Sequence, residues 1–370
     1  MKIIVLGSSC WDEDFGGHSK SLAPILARYW PVTYAEPVGA PWIETLQGKV
    51  HQPGRFRVKG QLEAVRRQTN SRNLIWYGLR AEASNLRQVM RDKCDVLITY
   101  YTTCAALATL YARVRGVKVL LIYSDDLPKL FRPPLARILT ARLFNPLVAR
   151  AAHYVVGTAR LLVEDMERYN THVSYIPNGV HLLAFRQQRH DRDTRFVVGF
   201  VGGFRRWVNF DLLIEAAKGL PEMHFLLVGG GDRLEYVRQM TVGMGNVELT
   251  GWVPHAQVPD LIARMDVGVI PFYVNELTDR VSPIKMFEYW AMGKPVVVTP
   301  FYEARYSGDG AVAFADGAAE LVATLERLRQ DYAWRTALGQ EGKRRVKGYD
   351  WEVLGRRYVE LIEGMVNGTG

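Results

Sequence analysis

Short apolar runs alternate with amphipathic segments along most of the 370 positions. KIIVLG (2–7), PVTYAEP (31–37), DVLITYY (95–101), VKVLLIY (117–123) and HYVVGT (153–158) have the length and β-branched content of buried strands. Between them, LAPILARYW (22–30), AEASNLRQVM (81–90), CAALATLYARV (104–114) and ARLLVEDMERY (159–169) carry helical spacing. That alternation predicts βαβ units and a parallel sheet. The charged stretch AFRQQRHDRDTR (184–195) interrupts it and reads as a linker. The alternation then restarts with FVVGFVGG (196–203), HFLLVGGG (224–231), VELTGWV (247–253), VGVIPF (267–272) and PVVVTP (295–300). Helices are predicted to begin near Asn209, Asp232, Gln257 and Pro283, and YDWEVLGRRYVELIEGMV (349–366) forms a closing amphipathic helix. The expected class is α/β, with two doubly wound domains, residues 1–185 and 186–345, and a final segment 346–370. Tandem sheets of this kind place ligands in a cleft at the carboxyl ends of their strands.

Composition narrows the class of protein. With 48% hydrophobic residues the chain can build two ordinary cores. Three cysteines, Cys10, Cys94 and Cys104, lack metal-ligand spacing, which predicts a reduced, cytoplasmic protein without structural zinc. No run approaches the roughly 20 apolar residues that cross a bilayer, and the opening residues read as a strand rather than a leader. Charge is uneven. Residues 1–185 hold 24 Lys and Arg against 14 Asp and Glu, and residues 186–370 hold 23 against 24. Nucleic acid is not the expected partner, because zinc-finger spacing, an RNP-type motif and a dense basic run are all missing. An anionic membrane surface fits FRPPLARILTARLFNPLVARA (131–151), where arginines are mixed with Leu, Ile and Phe. A helix packed on a sheet with snorkelling arginines fits the same pattern.

The candidate chemistry centres on SPIKMFEYWAMGKPVVVTP (282–300). Ser282 is expected to cap a helix whose first position is Pro283. Lys285 then lies in the first turn, where the helix dipole disfavours a cation unless an anion sits between them. Glu288 falls beside the apolar stripe of Ile284, Phe287 and Ala291, where a carboxylate needs a partner. A Lys285–Glu288 pair at i,i+3 accounts for both charges without any ligand. Three glycine-rich turns follow strands: Gly7 to Gly17, Gly202-Gly203 and Gly229-Gly230-Gly231. Gly16, Gly17 and His18 form a candidate acceptor or phosphate loop, and Gly202 and Gly203 lead into Arg205, a candidate diphosphate ligand. None matches a dinucleotide or Walker fingerprint. In YSDDLP (123–128), Asp125 and Asp126 are candidate catalytic carboxylates, one able to deprotonate a hydroxyl and the other to cap the next segment. Neither a bound metal nor another cofactor is expected.

Taken together, IPNGVHLLAF (176–185), FVGGFRRWVNFDLLIEAA (200–217), HFLLVGGGDRLEYV (224–237), LTGWVPHAQVPDLIARMDVGVIP (249–271), FEYWAMGKPVV (287–297) and the closing helix resemble glycosyltransferase family four, of GT-B architecture. The resemblance runs over nearly the whole chain. It implies two Rossmann-like domains, an acceptor site on the first, a nucleotide-sugar site on the second, and a C-terminal helix crossing back. It further implies that Trp252 and Val253 meet the base, Glu288 the ribose, and Ser282 to Lys285 the diphosphate of a UDP-sugar. Departures from the family pattern are informative. Its first glutamate falls at Arg280, its phosphate-binding arginine and lysine fall at Gly203 and Val208, and its histidine falls at Ser124. A lysine three residues before the helix glutamate resembles a polysaccharide-assembly branch that includes teichuronic-acid-type and xanthan-type glucuronosyltransferases, in which Asp125 matches the base. The implied activity is sugar transfer to a lipid-linked or saccharide acceptor, peripherally at the inner membrane face, with Arg280 suited to an acidic sugar. A nucleotide-sugar epimerase and a non-catalytic binding protein remain the alternatives.

Overall fold

The computed structural model describes residues 1–11, 17–37, 54–67, 74–100, 102–130, 134–185 and 195–368. The anticipated linker centre at 186–194 and the glycine at position 16 lie outside the described residues. The chain divides into two compact units, Met1–Pro177 with Leu354–Gly370, and Asn178–Val353. The expected bounds at 185/186 and 345/346 therefore shift. The reason is local pairing: Val180 bridges Asp350, its N–H donates to Tyr349 O, and Trp351 N–H donates to Val180 O, so these flanks join the second unit.

In the first unit the strands are β1 (Ile3–Leu6), β2 (Val32–Ala35), β3 (Gly54–Lys59), β4 (Leu62–Arg66), β5 (Val96–Thr99), β6 (Lys118–Tyr123), β7 (Tyr154–Gly157) and β8 (Val173–Tyr175). They form one sheet in the order β3-β4-β2-β1-β5-β6-β7-β8. All neighbours are parallel except the β3–β4 hairpin. The five strands expected from continuous apolar runs are present. The hairpin was not visible in that signal because β3 is an edge strand, with Arg55, Arg57 and Lys59 exposed between half-buried Phe56 and Val58. Helix bounds also move: the segment expected at 22–30 is the helix His18–Leu26, and that expected at 81–90 is Leu74–Asp92. The closing helix, Trp351–Asn367, buries Leu354, Tyr358 and Ile362, and a Cβ at Gly355 would lie 2.7 Å from Ile25. That close approach seats the helix against His18–Leu26.

The second unit holds β9 (Val197–Val201), β10 (His224–Val228), β11 (Val247–Gly251), β12 (Val267–Ile270), β13 (Val296–Val298) and β14 (Ala313–Phe314). They form a parallel sheet in the order β11-β10-β9-β12-β13-β14. Side chains alternate between its faces. Val198, Phe200, Phe225 and Leu227 enter one core, while Val197, Val201, Leu226 and Val228 enter the other. Covering both faces explains why these strands read as unbroken apolar runs. The helix Ile284–Ala291 packs on the second face through Met286, Phe287, Tyr289 and Trp290. Room for it comes from Gly268 of β12, where a Cβ would lie 2.5 Å from the Tyr289 ring. Gly268→Ala is therefore expected to lower stability by about 1–3 kcal/mol in urea unfolding. Gly245→Ala, at a position with no neighbour within 4 Å, should change it by less than about 0.5 kcal/mol.

Candidate functional site

In the second unit the turns at the carboxyl ends of β9, β10 and β11 are tied together by backbone bonds. Gly202 N–H donates to Val228 O, Gly229 N–H to Gly251 O, and Phe204 N–H to Gly230 O. The approach is close enough that only glycine fits at 229: its φ is +127°, and a Cβ would lie 2.0 Å from Gly202 O. A Cβ at Gly230 would lie 2.8 Å from the Trp252 ring, which places that half-exposed indole over the glycine turn. Val253 is half-buried against the core.

The helix Ile284–Ala291 supplies the charges. Tyr289 is fully buried, and its hydroxyl accepts the Val201 N–H at 2.8 Å, fixing the helix to the last residue of β9. Lys285 consequently lies beside the following turn, its Cε 3.7 Å from where a Gly202 Cβ would stand. Glu288 is only 3% exposed. One carboxylate oxygen is 3.1 Å from Lys285 Nζ and the other 3.3 Å from His255 Nε2. Burial alone would raise this carboxyl, but the Lys285 ammonium and the His255 bond outweigh it and hold Glu288 below its usual range. The i,i+3 pair anticipated from the sequence exists, yet it is not an ordinary surface pair. Taking a carboxylate out of water costs several kcal/mol, on the order of what one ion pair returns.

The start of this helix differs from expectation. Pro283 occupies the N-cap position and Ser282 does not cap the helix. The Ser282 hydroxyl instead accepts the Asn178 N–H at 3.1 Å, and Asn178 Nδ2 donates to Ser282 O at 3.2 Å. The helix N-terminus thus carries no side-chain cap, the condition under which its N–H groups can face an anion. Gly203 leads to Arg205, whose guanidinium turns to Asp232 at 3.3 Å. Arg280 ends the 3-10 turn Thr278–Arg280 and donates to Glu276 O at 3.1 Å.

In the first unit the paired carboxylates diverge after β6. Asp126, the second candidate catalytic carboxylate, is buried and lies 3.0 Å from Lys129 Nζ. Asp125 keeps an exposed side chain and accepts from the Ser124 hydroxyl at 3.2 Å. Protein surrounds it closely enough for desolvation to raise its carboxyl above the usual value, with Asp126 adding to the shift. Gly17 precedes the helix His18–Leu26, and a Cβ there would meet Ser9 Oγ at 2.7 Å. His18 is corrected from a phosphate-loop residue to an internal strut. It is buried, with Nδ1 2.7 Å from Tyr100 OH and Nε2 3.0 Å from Tyr358 OH. Burial lowers it to about 3, so the ring is neutral and has no charge to offer a phosphate. Among the described residues no three His, Cys, Asp or Glu side chains are grouped to hold a metal ion.

His255, Asn178 and Tyr289 were not singled out from the sequence. The first two lie in segments, VPHAQ and PNG respectively, that already carried the family resemblance, and the third adjoins Glu288.

Residues 195–331 match the family described as Glycosyl transferases group 1. A Bacillus subtilis glycosyltransferase assigned to teichuronic acid biosynthesis, TuaH, is 33% identical over 135 residues, or 34% of each chain. The match thus spans about a third of that curated relative's length. Sucrose-phosphate synthase of Thermosynechococcus elongatus superposes with a TM-score of 0.80 at 17% identity, covering 99% of both chains. Anabaena HepE, solved with UDP and glucose, superposes at 0.72 and 14% identity, covering 98% of this chain and 99% of that one. The fold is GT-B, with two parallel-sheet α/β domains, as the sequence resemblance implied.

The His18 strut has a pH signature. Its folded value lies below the usual 6.5, so the unfolded chain takes up a proton first as pH falls, and stability present above about 6.5 is lost progressively towards about 3. Urea unfolding between about pH 6.5 and 5 should show a slope from this group approaching 1.4 kcal/mol per pH unit. His153, lowered to about 4 mainly by burial, adds in the same direction. The difference between wild type and His18→Gln isolates His18, and an unchanged slope in the variant would remove the strut.

Proposed function

We propose that the chain is a glycosyltransferase that moves a sugar from a UDP-sugar to a lipid-linked or surface-polysaccharide acceptor. The observation that carries this reading is the buried Glu288 carboxylate, held by Lys285 and His255 beside the Gly202 turn. The group 1 domain match supports the reaction class, HepE's complex with UDP supports the donor nucleotide, and TuaH's assignment supports a polysaccharide acceptor.

In this reading the diphosphate lies between Lys285, the Gly202-Gly203 backbone and the uncapped helix N-terminus. Glu288 accepts from the ribose hydroxyls, and the base rests near Trp252 and Val253. Lys285 then exchanges its contact with Glu288 for one with phosphate. Asp125 takes the proton from the acceptor hydroxyl as the new oxygen–carbon bond forms at the anomeric centre. The bond from that carbon to the diphosphate oxygen breaks, and its electron pair leaves with UDP. Charge growing on the leaving diphosphate is met by Lys285 and helix dipoles already in place, so no metal is assigned to the step. Asp125 is suited to its part because its raised carboxyl is a better base than an ordinary surface aspartate. Arg280 is assigned to an acidic donor sugar, and the setting is the cytoplasmic face of the membrane. Among the described residues no helix is long and apolar enough to cross a bilayer.

A panel of UDP- and GDP-sugars, with and without membrane lipid extract, separates the readings. A transferase releases nucleotide only with an acceptor, an epimerase alters the sugar without one, and a binding protein does neither. Lys285→Ala is expected to lower kcat by roughly 10²–10³-fold with the fold intact; turnover near wild type would remove Lys285 from the site. Arg280→Ala should reduce the preference for acidic over neutral UDP-sugars, and an unchanged preference would overturn that assignment.

A further inference from the structure

The segment anticipated as an amphipathic helix at 131–151 is helical from Pro134 to Ala151. Its two halves treat their apolar side chains in opposite ways. In Asn145–Ala151 the apolar positions are inside, with Pro146, Val148, Ala149 and Ala151 buried. In Pro134–Leu139 none of the side chains is buried. Leu135 is 66% exposed, Ile138 52%, and Leu143 in the following turn 50%. With Leu139, also exposed, they stand at i, i+3, i+4 and i+8, the spacing of one helix face. Thr140–Phe144, between the halves, is a π-helical turn, and Thr140 is buried with its hydroxyl donating to Ala136 O. The wider turn falls where the apolar face passes from solvent to core.

Charge decides what covers this face. Residues 134–151 contain Arg137, Arg142 and Arg150 and no Asp or Glu, and all three arginines are exposed. Arg142 stands at i+7 from Leu135, on the apolar stripe itself. A protein interface of ordinary composition would balance such cations with carboxylates, whereas apolar side chains interleaved with arginines and no acids suit anionic lipid headgroups over acyl chains. We propose that Leu135, Ile138, Leu139 and Leu143, with Arg142, dock the first unit on an anionic bilayer surface. The proposal deepens the membrane setting of the transferase reading and rests on that reading only for its purpose. Leu127–Leu130, which directly follows Asp125 and Asp126, packs against both Pro134–Leu139 and the π-helical turn. Docking here would hold the candidate base close to acceptors carried in the bilayer.

The test uses the full chain, without acceptor, in sedimentation with vesicles of phosphatidylcholine alone or mixed with phosphatidylglycerol. Wild type is expected to pellet with the mixed vesicles and to be released by salt. The triple variant Leu135→Ser, Ile138→Ser, Leu143→Ser should bind them on the order of a hundredfold more weakly. Arg142→Ala should weaken binding by about fivefold, on the anionic vesicles only. These substitutions are at exposed positions, so thermal midpoints should match wild type. Failure of wild type to bind the anionic vesicles, or equal binding by the triple variant, overturns the proposal. A wild-type dimer in ultracentrifugation that the triple variant converts to monomer also overturns it, in favour of a second copy as occupant. Vesicle binding with no sugar transfer would leave the docking surface standing and remove the transferase reading.

Discussion

A carboxylate held out of water on a short helix is the constraint around which the second unit is arranged. Glu288 is tolerated there only because Lys285 and His255 each meet one of its oxygens. Those contacts depend on where the helix sits, and its place is set by the Tyr289 hydroxyl on Val201 N–H and by the space left at Gly268. The same arrangement brings Lys285 to the Gly202 turn. Asn178 draws Ser282 away from capping duty and leaves the helix N-terminus open. A buried ion pair is weak evidence for stability alone, since a well-packed apolar pair does as well or better. Its position beside the Gly202 turn at the carboxyl end of β9 supports the proposed reading, in which a bound diphosphate takes Lys285 in exchange.

The first unit follows a different logic. A neutral polar contact ties part of its interior, with His18 wedged between the hydroxyls of Tyr100 and Tyr358. Because Tyr358 belongs to the closing helix, this strut anchors the C-terminal segment to the helix that begins at His18. Of the two adjacent aspartates, Asp126 pairs with Lys129 and only Asp125 keeps an exposed carboxylate. The exposed leucines and arginines that follow within the next few helical turns add a surface chemistry that the core does not need.

Much of the fold was legible because both sheets are covered on both faces, which turns their strands into unbroken apolar runs such as VKVLLIY and PVVVTP. The hairpin β3–β4 escaped that signal because an edge strand carries arginines at alternate positions, and β14 is too short to have a period. At the site, Lys285 and Glu288 were legible as charges on a helix that had no evident use for them. Their surroundings were not. His255 lies 33 positions before Glu288, and Asn178 is separated from Ser282 by 104. Contacts at such range are set by topology rather than local pattern. The cap at Ser282 was misjudged for the same reason: local propensity favoured a cap, and a distant asparagine claimed the hydroxyl.

The central claim is that Glu288 recognises the ribose of a bound nucleotide. It is tested most directly by calorimetric titration of UDP and its 2′,3′-dideoxy analogue into wild type and Glu288→Gln. If Glu288 accepts from the ribose hydroxyls, removing the hydroxyls should weaken binding to wild type far more than to the variant, with a coupling of about 1.5–3 kcal/mol. Equal losses in both proteins would contradict the account and return Lys285 and Glu288 to the role of an ordinary ion pair.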